Sequence, residues 1–96
     1  MPVVPTPREA LDRTRDAMDR FANLASVGEH EVAYERLQEA RYWLRKAEVA
    51  WVVTMRDDGV SWQGVADIIG RSQTTAIERY HEDVQDYLVD RARGDA

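Results

Sequence analysis

Gly59-Val60-Ser61-Trp62-Gln63-Gly64-Val65-Ala66-Asp67-Ile68-Ile69-Gly70-Arg71-Ser72-Gln73-Thr74-Thr75-Ala76-Ile77-Glu78-Arg79-Tyr80 is the stretch that decides the fold. Ser61 is placed to cap a short helix whose apolar residues are Val65, Ala66, Ile68 and Ile69. Gly70 stands where a tight turn needs left-handed backbone, which a side chain disfavours. Ser72 can cap a second helix whose first turn exposes Gln73 and Thr74. Ala66 is small where the two helices must pack closely, and Ala76, Ile77 and Tyr80 continue a buried stripe. The expectation is a helix-turn-helix.

These residues resemble the helix-turn-helix of bacterial sigma-factor region 4 and of small actinobacterial and actinophage DNA-binding proteins. Many of those read Gly-Val-Ser-Trp, then Ile-Ala, Leu-Gly, Val-Ser and an Ala followed by an aromatic. The resemblance is confined to residues 59–80 and is a pattern of sizes and caps, not of reactive groups. It departs at Arg71, where a Val usually follows the turn glycine. That change removes an apolar contact and adds a positive charge.

Upstream, a helix is expected from about Glu29 to about Asp57, with Ala33, Leu37, Ala40, Leu44, Ala47 and Trp51 at alternating spacings of four and three. That is a heptad seam whose alanines allow a second helix to approach closely. Val49, Val52, Val53 and Met55 thicken the apolar surface toward its end. Before it, Thr6-Pro7-Arg8-Glu9 is a helix start with a capping box and Pro at the first helical position. The helix that follows carries Leu11, Met18, Phe21, Ala22 and Ala25 on its apolar side and ends at Gly28. The first two helices are expected to pack as an antiparallel hairpin.

Asp58-Gly59-Val60-Ser61 is a tight hinge, so residues 1–96 are read as a single all-α domain. Residues 1–6 form an extended lead, 7–57 the helical hairpin, and 59–92 the helix-turn-helix with an extended last helix stopping before Gly94. Val84, Tyr87 and Leu88 continue the stripe of that last helix, whose excess length must pack on something.

The chain has 96 residues and no cysteine, which leaves no disulfide framework and no thiolate metal site. Met1–Pro7 is too short and Pro-broken for a signal peptide, and no apolar run approaches a membrane span. A cytoplasmic location is expected. Arginine outnumbers lysine, Lys46 being the only one, which suits GC-rich coding and an actinobacterial or phage source.

Charge argues against strong DNA binding, because Lys and Arg on phosphates usually carry most of the affinity and the net charge here is −5. Within 59–80, Asp67 and Glu78 balance Arg71 and Arg79. Beyond it, Glu82, Asp83, Asp86, Asp90 and Asp95 face only Arg91 and Arg93. The acidity is concentrated away from the start of the second motif helix.

Carried over from the resemblance, the base-contact candidates are Gln73, Thr74 and Glu78, and the phosphate-contact candidates are Gln63, Arg71, Ser72 and Thr75. For each, an ordinary solvated polar residue is the alternative, and a carboxylate such as Glu78 is more often repelled by DNA than used. Trp51 and Trp62 read as core or interface. Tyr42 and Trp43, with Tyr87 and Leu88, are candidates for a protein interface. His30 and His81 are isolated, and no nucleophile with its base, cofactor fingerprint or metal set is visible, so neither catalysis nor a cofactor is expected. The leading expectation is a homodimeric, sequence-specific transcriptional regulator bound to double-stranded DNA. The rival is an adaptor with a sigma-like fold that contacts RNA polymerase, a sigma factor or another protein.

Overall fold

A computed structural model describes residues 6–95, and of Asp95 its backbone only. Among the described residues there are four helices and no strand: α1 (Pro7–Ser26), α2 (His30–Asp57), α3 (Trp62–Ile69) and α4 (Gln73–Asp95). The all-α class follows directly.

The start of α1 is as the sequence reads. Thr6 Oγ1 accepts from the Glu9 amide at 3.1 Å, and the Glu9 carboxylate accepts from the Thr6 amide at 3.3 Å. All three helix junctions close with one hydrogen-bond pattern. The amides of Glu29, Val60 and Arg71 reach back to the carbonyls of Leu24, Met55 and Ala66, each at 2.9 Å. The glycine before each of them donates to the carbonyl three residues earlier. This is a Schellman closure, and it satisfies carbonyls that a helix end otherwise leaves open.

The chain divides into two compact units, one of residues 6–48 and the other of residues 49–95 among those described. The division falls inside α2, between Glu48 and Val49, and not at the Asp58–Ser61 connection. In the first unit the buried positions are Ala10, Thr14 and Ala17 of α1 and Ala33 and Ala40 of α2. Thr14, the one buried polar side chain among the described residues, donates its hydroxyl to the Ala10 carbonyl at 2.8 Å. The Arg13 guanidinium lies 4.5 Å from the centroid of the Trp43 ring.

The second unit holds a continuous apolar core of Val49, Val52, Val53, Met55, Val65, Ala66, Ala76, Tyr80 and Val84. Val60, Trp62, Ile69, Tyr87 and Leu88 pack against it. Val52 and Val65 are fully buried, each stabilising by about 1.5–3 kcal/mol relative to exposure. Ala66 and Ala76 have no exposed surface, as close packing of α3 on α4 requires.

Several expectations are corrected. On the heptad seam of α2, which the sequence leaves open to packing within one chain or between two, Ala33 and Ala40 are buried, whereas Leu44 is 45% and Trp51 41% exposed. Near the end of α2, Val49 and Val53 lie about 160° around the helix from Trp51, and together with Val52 they take the core of the second unit. On α1, Met18 and Ala22 are exposed, and the buried line runs through Ala10, Thr14 and Ala17. Ile68, read as part of the apolar side of α3, is exposed. The last helix runs through Gly94 to Asp95, because an interior glycine weakens a helix by about 1 kcal/mol without forcing it to stop.

Candidate nucleic-acid interface

The candidate surface is the turn between α3 and α4 with the first turn of α4, all within the second unit. Its geometry begins at Ser61, whose hydroxyl accepts from the Gly64 amide at 3.0 Å and starts α3. Val60, just before this cap, packs back on the core that contains Val65, a hydrophobic staple. A Cβ on Gly64 would meet Val60 Cγ1 at 2.8 Å, so the staple needs glycine there. The sequence reading missed that role, although the Val60–Gly64 spacing is its signal.

Trp62 is the first residue of α3 and is held on two sides. The Arg56 guanidinium lies 5.1 Å from its ring centroid, and the His81 ring lies 6.1 Å away, tilted at 52°. Arg56 also donates to the Val60 carbonyl at 3.0 Å. Thus α2, α3 and α4 are locked together around one indole, and His81 is not isolated.

Gly70 closes α3 with φ 70° and ψ 35°, left-handed backbone that costs an ordinary residue about 1–2 kcal/mol. Arg71 and Ser72 then complete a short turn. The Thr75 amide donates to Ser72 Oγ at 3.2 Å, and the Ser72 hydroxyl donates to Thr75 Oγ1 at 2.9 Å. The pair is therefore engaged in the cap, and only the Thr75 hydroxyl proton is left to donate outward.

Gln73 and Thr74 are exposed on the first turn of α4, and Glu78 is exposed one turn later. Arg71 is exposed and makes no ion pair among the described residues. Gln63 is also exposed, but its amide donates to Asp67 Oδ1 at 2.8 Å, which ties it to a carboxylate. Further along α4, Glu78, Glu82 and Asp86 share the outward side, opposite buried Ala76, Tyr80 and Val84. Any approach to a polyanion along that side is limited to the first turn. Arg79 lies beside the Tyr80 ring, 5.7 Å from its centroid.

The four candidates for a protein interface separate into two groups. Tyr42 is 55% exposed, set edge-on to Trp43 with ring centroids 5.1 Å apart. Lys46 sits 5.4 Å from the Tyr42 ring centroid. Tyr87 and Leu88 are half-buried and packed against the core of the second unit. Among the described residues no group of His, Cys, Asp and Glu is arranged to hold a metal ion. None of the described helices is long and apolar enough to cross a membrane. No family model, no curated protein and no solved structure matches the chain.

Proposed function

We propose that the chain is a sequence-specific, double-stranded-DNA-binding helix-turn-helix protein that regulates transcription as a homodimer in the cytoplasm. The observation that carries this reading is the start of α4. It is a capped helix N-terminus with exposed Gln73 and Thr74, preceded by exposed Arg71, which makes no ion pair among the described residues. Backbone amides at a helix start favour a phosphate, and polar side chains there can reach base edges in a major groove. The remaining polar groups of the motif, Ser72, Thr75 and Gln63, act mainly in caps and side-chain pairs, so few phosphate contacts remain for one protomer. A second copy supplies a second set about one DNA turn, roughly 34 Å, away. Exposed Trp51 gives α2 apolar surface for that copy.

The test is fluorescence anisotropy of labelled duplex DNA over a series of salt concentrations. Binding that weakens steadily with salt supports the proposal, and no binding at low ionic strength by folded protein refutes it. A second reading, the protein-binding adaptor, is favoured by the acidic side of α4 and the exposed Tyr42. On that reading Tyr42→Ala abolishes capture of a transcription-machinery partner and Gln73→Ala does not.

A further inference from the structure

We infer that one side of the helical pair in the first unit is the subunit interface, closed by the same face of a second copy into a four-helix bundle. This deepens the homodimer reading above and rests on that part of it alone.

The packing of this unit is one-sided. Arg13 of α1 lies on Trp43 of α2, and Gly28, in the turn joining the helices, is equidistant from both in sequence. The two helices therefore run antiparallel, and that contact marks one side of the pair. Successive helical residues are about 100° apart, so Asp16, Arg20, Arg36 and Glu39 fall on the Arg13–Trp43 side. There Arg36 pairs with Glu39 at 2.7 Å and Arg20 with Asp16 at 3.3 Å. Leu11 and Met18 of α1 and Leu37 and Leu44 of α2 fall on the other side. Met18 is 53% and Leu44 45% exposed, and Leu11 and Leu37 are half-buried. What the unit buries fully is small: Ala10, Thr14, Ala17, Ala33 and Ala40. A layer of two helices with that core leaves its large apolar side chains in need of a second layer.

Three features make that layer another copy of the chain. Leu11 and Met18 are seven residues apart, as are Leu37 and Leu44, with Trp51 the next step on α2. Each helix thus offers a neighbour the same heptad seam, as a four-helix bundle uses. Along the outer edge of α1, exposed Arg8, Asp12, Arg15 and Asp19 alternate in sign, an order that reversed is its own complement. An antiparallel second copy meets opposite charge along this edge. The face is also large enough. The 20 residues of α1 are about 30 Å long and two helices side by side about 20 Å wide, a footprint of about 600 Å². Two copies bury about 1,200 Å², which reaches the range of stable specific interfaces.

The chain has no cysteine, so single cysteines report the face directly. The experiment is sedimentation of wild type, Met18→Cys and Tyr42→Cys over a concentration series, with thiol-labelling rates of both variants, each shown helical by circular dichroism. Tyr42 is the control, being 55% exposed and about 140–160° around α2 from Leu37 and Leu44. Wild type is expected to sediment as a dimer. Labelling of Met18→Cys should slow about 10-fold as protein rises to about a hundred times the dimer Kd, since only the dissociated copy reacts. Tyr42→Cys should label at one rate throughout. A folded Met18→Cys that is monomeric where Tyr42→Cys is dimeric supports the same face. A dimer in which Met18→Cys labels as freely as Tyr42→Cys overturns this inference and leaves the homodimer standing. Wild type monomeric at every concentration overturns both, and DNA binding is then judged by its own salt series.

Discussion

Arg91 reaches back across the second unit to Asp57, its Nη1 2.9 Å from the carboxylate Oδ2. The contact ties the far part of α4 to the last residue of α2. Together with Val84, Tyr87 and Leu88 on the core, it accounts for the length of α4 beyond its first turns. On that side the helix is occupied within its own unit. The proposed second subunit would therefore use other surface.

The Arg91 hydrogen bond, helped by the charge of the guanidinium, holds the Asp57 carboxyl below the usual carboxylate range. A depressed folded-state pKa means the pair stabilises above the unfolded carboxylate pKa and is lost as pH falls through the lower folded value. Asp57→Asn should thus flatten the acid limb of stability against pH and leave the neutral-to-basic limb parallel to wild type. Because both groups are about half exposed, added salt should reduce the difference. Urea unfolding across acid, neutral and basic pH, at low and high salt, measures both effects.

Gly64→Ala places a Cβ against the stiff Val60 side chain. A helix-propensity gain of up to about 1 kcal/mol opposes the clash, which costs about 1–3 kcal/mol. The coupling is the clearer expectation: with Val60→Ala present, Gly64→Ala should become neutral or stabilising. Chemical unfolding of the two single variants and the double variant measures it.

Most of the motif is legible from residue types, because caps and turns are local. Ser61, Gly70 and Ser72 need only their neighbours to do their work, and the bounds of α3 and the start of α4 follow from them. The burial pattern of α1 and α2 is less legible. Large residues such as Leu44, Trp51 and Met18 draw attention to a stripe, yet the fully buried line is carried by Ala10, Ala17, Ala33 and Ala40. Small residues disappear completely at a close helix contact, whereas large ones can straddle its edge. The Arg56–Trp62–His81 cluster joins three helices and has no local signal at all.

Arg71→Gln should weaken DNA binding to all sequences alike. Each phosphate contact contributes about 0.9 to the slope of log affinity against log salt, so the slope should fall by about 1 per protomer. Salt titrations on specific and unrelated duplexes give the comparison. A loss confined to one sequence would assign Arg71 to a base instead.

Trp51→Glu removes a side chain that is 41% exposed and lies outside the valine core of the second unit. If α2 supplies the subunit contact, the variant sediments as a monomer and binds DNA more weakly. Analytical ultracentrifugation read beside urea unfolding separates this from a stability defect.

The central claim is that Gln73 and Thr74 on the first turn of α4 read DNA. Selection of bound fragments from sheared genomic and phage DNA, comparing wild type with the Gln73→Ala, Thr74→Ala double variant, tests it most directly. The account predicts a shared, roughly palindromic motif enriched by wild type and lost in the variant. The same motif enriched equally by the folded variant, or none enriched by folded wild type, would contradict it.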